Sequence, residues 1–141
     1  MMRCRCVSLA VLLVAAAMGF VVSGCSGAKS LDGTEWELTG WTVSSIDPVS
    51  VSITASFDDG QVSGSSGVNI YSGTVKAGRG GSFAAGPLAA TEMAGSELEM
   101  RAESLYLTLL AQARFYQVTD TTLTLRDGGG NESLIFSRVA R

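Results

Sequence analysis

Gln61-Val62-Ser63-Gly64-Ser65-Ser66-Gly67-Val68-Asn69-Ile70-Tyr71-Ser72-Gly73 is the stretch whose reading decides the fold. Asp58-Asp59-Gly60 precedes it and reads as a hairpin turn, so the stretch begins as a returning strand. Gly64, Gly67 and Gly73 mark a backbone that bends or is closely approached, because glycine takes positive φ without steric cost. Asn69 stands where an Asx-type turn closes a loop on its own backbone. Tyr71, Gly73, Val75 and Ala77 then share one side of a further strand.

Working outward, Val49, Val51, Ile53, Ala55 and Phe57 alternate with Ser50, Ser52, Thr54 and Ser56, which predicts one strand with a core face and a hydroxyl face. Asp47-Pro48 marks a turn before it. Trp36 and Leu38 alternate with Glu35, Glu37 and Thr39 in a half-buried strand, with Trp36 as a core anchor. On the other side, Gly78-Arg79-Gly80-Gly81 turns the chain into a short strand from Ser82 to Leu88. Phe83 stands where a dinucleotide-binding G-x-G-x-x-G would place its last glycine.

One helix is expected. Ser96 and Glu99 have the spacing of a capping box. Leu98, Ala102, Leu105, Leu109 and Ala113 follow at helical spacing, widened by Tyr106 and Leu110. Glu97, Glu99, Arg101 and Glu103 read as the solvated face. Phe115-Tyr116-Gln117-Val118, Leu123 with Leu125, and Leu134-Ile135-Phe136 are further strands, with a glycine-rich hairpin loop from Asp127 to Asn131. The class is mainly β with one amphipathic helix. Asn131-Glu132-Ser133 is a glycosylation acceptor, relevant only in a host that glycosylates exported protein.

Composition removes several functions. Among 141 residues there is no histidine, which takes away the usual general base and the commonest metal ligand. The three cysteines are Cys4, Cys6 and Cys25. None falls in the expected domain interior, so neither a thiolate metal site nor a cofactor is expected there. Setting aside Arg3 and Arg5 leaves 8 basic residues of the 10 against 13 acidic ones, a balance of −5. Such a domain is unsuited to nucleic acid, which needs a basic stripe.

Arg3 and Arg5, the apolar run Val7 to Val22 and the small residues Ser23-Gly24 have the arrangement of an export signal. Val22-Ser23-Gly24-Cys25 resembles the lipobox of bacterial and archaeal lipoproteins. By that resemblance Cys25 becomes the mature N-terminus and carries a lipid, which places the chain outside the cytoplasm on a membrane. The expected organisation is a signal peptide over 1–24, a lipid-anchored tether over 25–30 and a domain over 31–138. Ser26 and Lys29 match S-x-x-K in form. A flexible tether does not desolvate the lysine that this chemistry requires, so the match reads as coincidence.

These pieces together resemble the META, or HslJ-like, domain. The landmarks are Leu31-x-Gly33-Thr34-x-Trp36-x-Leu38, then Phe57 with its turn and Val62-Ser63-Gly64. Gly67-Val68-Asn69-x-Tyr71-Ser72-Gly73 and Leu88-x-x-Thr91-x-Met93-Ala94 follow. Leu109, Tyr116-x-Val118, Leu123-x-Leu125 and Leu134-x-Phe136 complete the set. The resemblance implies a strongly bent antiparallel sheet forming a partly open barrel, with the helix packed across it. It also implies an envelope lipoprotein loosely linked to stress response and secretion, and it brings no catalytic mechanism. The family commonly carries cysteines at the positions held here by Val68 and Gly95. Those two positions are therefore expected to be neighbours, with packing in place of a covalent clip.

Three functions compete. The first is a non-catalytic envelope module binding a partner protein through the loops around Gly67, Asn69, Tyr71 and Thr91. The bland version gives those four residues structural duties only, and the balance favours it. The second is a carrier or chaperone for an apolar ligand in the open barrel, which requires a sizeable cavity between helix and sheet. The third is a carboxylate-pair hydrolase using Asp58, Asp59, Glu92 or Glu97, which nothing in their spacing supports. The expectation is therefore a binding or structural protein and not an enzyme.

Overall fold

The computed structural model describes residues 29–42 and 44–140. Cys25, the export signal and most of the tether lie outside the described residues. Eight strands form one antiparallel sheet: β1 Thr34–Trp41, β2 Thr54–Asp58, β3 Gln61–Ser65, β4 Ile70–Ala77, β5 Phe83–Ala90, β6 Phe115–Val118, β7 Thr122–Arg126 and β8 Glu132–Arg138. The single described helix, α1, spans Glu97–Gln112 between β5 and β6.

The spatial order is β5-β4-β3-β2-β1-β8-β7-β6, so every neighbouring pair is consecutive in sequence except β1 with β8. The sheet curls until its two edges meet at one corner. There Ser82 bridges Phe115, Phe83 N donates to Arg114 O at 2.8 Å, and Tyr116 N donates to Gly81 O at 2.7 Å. Beyond that corner the edges part and α1 fills the gap against β5. The result is a half-barrel closed by a helix, as the resemblance implied.

The interior collects the alternating residues. Trp36, Leu38, Phe57, Val62, Tyr71, Leu123, Leu125 and Phe136 are all buried, and α1 adds Ala102, Tyr106, Leu109 and Leu110. The Trp36 indole donates to Thr34 Oγ1 at 2.7 Å, so its polar edge is satisfied inside the core. The Arg138 guanidinium lies 4.5 Å from the centre of the same ring. The β2–β3 hairpin turns through Asp59 (φ 46) and Gly60 (φ 70), the double positive φ of a type I′ turn that matches strand twist.

Three expectations are corrected. The strand read from Val49 to Phe57 begins only at Thr54. Asp47 Oδ1 accepts from Val49 N, and Pro48 opens a 3-10 turn over Pro48–Ser50, leaving Val49 exposed. The chain then reverses through Ser52 (φ 52) before Ile53 O accepts from Leu38 N. The strand read as Ser82 to Leu88 is Phe83–Ala90, because its pairing with β4 runs on to Tyr71 with Ala90. Lastly, the buried stripe of α1 is centred on Tyr106, which leaves Leu98 exposed and turns Glu103 inward. Residues three apart on a helix share a face, so Glu103 goes where Tyr106 goes.

Candidate functional site

The polar groups of the fold concentrate where the β3–β4 loop, Ser66 to Asn69, meets α1. The loop is forced at Gly67, whose φ is +113. A Cβ there would also fall 2.7 Å from Val51 Cγ1. This conformation presents Ser66 and Asn69 to the helix.

Glu103 receives them. Its Oε2 accepts from Ser66 Oγ at 2.7 Å and from Asn69 N at 3.0 Å, and its Oε1 accepts from Asn69 Nδ2 at 2.8 Å. Ser66 Oγ also lies 3.0 Å from Asn69 O, but that carbonyl already accepts from Ser66 N at 2.8 Å. A hydroxyl has one proton, and the carboxylate is the stronger acceptor, so the proton goes to Glu103.

The Asn69 amide is used at both ends. Nδ2 donates to Glu103 and to Met93 O at 3.2 Å, while Oδ1 accepts from Thr91 Oγ1 at 2.9 Å and Met93 N at 2.7 Å. Two acceptors face Nδ2 and two donors face Oδ1, which sets the orientation of the amide. Thr91 Oγ1 accepts in turn from Ile70 N at 3.2 Å. Asn69 thus ties the loop, the strand β4, the segment after β5 and the helix together.

Beneath this cluster Tyr71 and Tyr106 meet. Tyr71 Oη donates to Thr54 O at 2.9 Å, so the 2.6 Å contact between the two hydroxyls is a bond donated by Tyr106. Burial raises both phenols well above their ordinary value, and in Tyr106 the neighbouring phenol adds to the rise. Their rings stand edge to face at 5.4 Å. Beside the loop, Val68 packs on Gly95: a Cβ at Gly95 would lie 2.4 Å from Val68 Cγ2. The two positions are neighbours, as expected.

The four loop residues singled out in the sequence are therefore gathered in one place. Gly67, Asn69 and Thr91 build the knot, and Tyr71 sits in the core directly below it. Glu103, expected on the solvated face of the helix, is instead the hub of the knot. The signal that finds it is its spacing of three before Tyr106, a residue on the buried face.

The space between helix and sheet is filled by Tyr71, Tyr106, Leu110 and Phe136. A groove of about 660 Å³ opens instead at the far end of the barrel, between the β2–β3 turn, the β4–β5 turn and the start of the domain. Phe57, Phe83 and Tyr116 floor it, with Asp32, Asp58 and Lys76 around them. Lys29 lies at this end: its carbonyl is 3.3 Å from Tyr116 Oη, whose one proton has Gly78 O at 3.2 Å as its other acceptor, and its ammonium pairs with Asp120. Among the described residues, no group of three or more His, Cys, Asp or Glu side chains is placed to hold a metal.

A curled antiparallel half-barrel closed by one helix, with a loop knotted to that helix, defines the fold class of this chain. The chain belongs to the META domain family, whose model matches residues 29–140. It is similar in structure to a protein from Burkholderia xenovorans solved by NMR, at 26% identity and TM-score 0.67, over 79% of this chain and 85% of that one. A DUF4847 family protein from Bacteroides vulgatus has the same fold at 15% identity and TM-score 0.58, over 79% of this chain and 96% of its own. No curated protein matches the chain.

Proposed function

We propose that this protein is an exported, lipid-anchored module of the cell envelope that binds a partner and performs no chemistry itself. The observation that carries the reading is the knot. The polar side chains of its richest loop are committed to Glu103 and to one another, which is what a rigid presenting surface needs. The anchor is Cys25, four residues before Lys29, which is held to the barrel by Tyr116 and Asp120. Four residues reach at most about 14 Å, so the lipid would hold the domain close to the bilayer by its groove end. The membrane is thus one partner, a protein the other, and the acidic balance argues against nucleic acid. A part in stress response is carried by the family resemblance.

Membrane fractionation of Cys25→Ser against the unaltered chain tests the anchor, together with the mass of the mature N-terminus. A variant that stays on the membrane, or an N-terminus without acyl mass, overturns it. Deletion of the gene under envelope stress tests the physiological part, and growth indistinguishable from the parent argues against it.

The packed space between helix and sheet lacks the cavity that a carrier of an apolar ligand requires, and the groove at the barrel mouth is what remains for that second reading. The groove's volume falls within the range of ordinary ligand sites, roughly 300–1,000 Å³. Native mass spectrometry of the protein from its own host separates the two readings by the presence or absence of a bound lipid-sized mass.

A further inference from the structure

Oxidants attack sulfur first and the electron-rich rings of tryptophan and tyrosine next, and this fold separates the two groups. Residues 29–140 contain no cysteine, so their only sulfurs are the thioethers of Met93 and Met100. Both side chains are exposed, at 56% and 42%. The rings are inside: Trp36, Trp41, Tyr71, Tyr106 and Tyr116, which are all the tryptophans and tyrosines of the chain, are buried. Methionine is ordinarily among the buried residues, where its flexible thioether fills irregular gaps. The core here uses none. Its cluster is built from leucine, isoleucine, valine, alanine and aromatic rings.

Neither thioether holds the structure together. Met93 is tied through its backbone: its N donates to Asn69 Oδ1 at 2.7 Å and its O accepts from Asn69 Nδ2 at 3.2 Å. Met100 N donates to Ser96 O at 3.0 Å in the first turn of α1. An oxygen added to either side chain changes polarity at the surface and leaves these main-chain bonds and the core in place.

We infer that Met93 and Met100 form a surface oxidation site, converted to sulfoxide by an oxidant of the hypohalous-acid class with the fold intact. This goes beyond the binding-module reading and does not depend on it. A sulfur lone pair attacks the chlorine of hypochlorous acid and hydroxide leaves. Water then adds at the sulfur and chloride departs. The net change is thioether and hypochlorous acid to sulfoxide, chloride and a proton, so sulfur loses two electrons and chlorine gains them. The sulfoxide is polar where the thioether was apolar, and a methionine sulfoxide reductase reverses the change with a dithiol as reductant. The surface beside the knot thus takes a reversible change of polarity while the bonds between Asn69 and Glu103 hold.

The test takes the full chain purified from its own host and titrates it with hypochlorous acid. Cleavage after glutamate places Met93 and Met100 on separate peptides, because Glu92, Glu97, Glu99 and Glu103 flank them. Each of these peptides is expected to gain one oxygen, about 16 Da, before any other residue of the domain is modified. Tm should stay within about 3 °C of the untreated protein, as for a surface change. The two epimer-specific methionine sulfoxide reductases, with dithiothreitol, should remove both oxygens. Met93→Leu with Met100→Leu, close in volume to the parent, should keep its Tm and take up at least about tenfold less oxygen in the domain at the same dose. Modification of tryptophan or tyrosine ahead of the two methionines overturns the inference. So does a larger fall in Tm once they are oxidised, undiminished oxygen uptake by the double variant, or sulfoxide that the reductases leave in place.

Discussion

Asn69 gives Glu103 two hydrogen bonds, one from its backbone N at 3.0 Å and one from Nδ2 at 2.8 Å, across a sequence distance of 34 residues. The pair fastens the loop to the helix that closes the barrel. Removing the acceptor strands buried donors, and each costs about 1–3 kcal/mol. Glu103→Leu should lower unfolding free energy by about 3 kcal/mol or more in urea titration. Glu103→Gln keeps the shape but sets an amide N–H against donors, and should fall between. A loss under about 0.5 kcal/mol for Glu103→Leu would mean the knot contributes nothing to stability.

Val68 and Gly95 allow a second test. Gly95→Ala forces a methyl into Val68 Cγ2 and should cost about 1–3 kcal/mol, most of it recovered by adding Val68→Ala. Val68→Cys with Gly95→Cys should form a disulfide on mild oxidation, closing a loop of about 27 residues and stabilising by roughly 3 kcal/mol. The check is a thiol count with Tm before and after reduction. Two thiols that stay free in the folded protein would refute the substitution of packing for a clip.

The buried phenols predict alkaline sensitivity. Tyr71 and Tyr106 hold their protons above the ordinary value near 10, whereas in the unfolded chain they ionise there. The unfolded state then binds fewer protons, so stability is full below about pH 10 and falls as pH rises above it. A Tm profile from pH 8 to 11.5, with absorbance at 295 nm, should show unfolding and tyrosinate appearing together. Tyr106→Phe should flatten the profile. Tyrosinate formation in full before any unfolding would contradict this.

Tyr116 Oη donates to Lys29 O at 3.3 Å or to Gly78 O at 3.2 Å, bridging the start of the domain and the β4–β5 turn. Tyr116→Phe should leave Tm within a few degrees but speed amide exchange at Leu31 and in the turn at Gly78–Gly81. Unchanged exchange in both segments would show that the tether is held by other contacts.

The alternating strands around Trp36, Phe57 and Leu123 were legible because period two with apolar residues allows little else. The capping box at Ser96 was legible because it is local. Both of its bonds form, Ser96 N to Glu99 Oε2 at 2.8 Å and Glu99 N to Ser96 Oγ at 3.3 Å. What escaped depends on distant partners. Glu103 resembles its solvated neighbours until Asn69 is brought to it, and no local pattern does that. The 3-10 turn at Pro48 escaped because the valine–serine alternation ran through it, although Asp47-Pro48 carried the signal. Val51 and Ile53 stay buried on either side of the reversal at Ser52, so the apolar count was right and the backbone path was not.

The pairing of β1 with β8 sets the order of assembly. Trp36 must find Arg138 and Trp41 must find Leu134, while the other ladders join strands that follow one another. Closing a loop of that length costs chain entropy before any contact rewards it, and such topologies fold slowly. A chain threaded N-terminus first through a membrane therefore cannot complete its barrel until its final strand has crossed. Until then β1 lacks the partner that covers its second edge. Were the chain exported as proposed, that slow step would keep it unfolded for passage through a narrow channel and leave an open strand edge on arrival, the moment at which a chaperone would matter most.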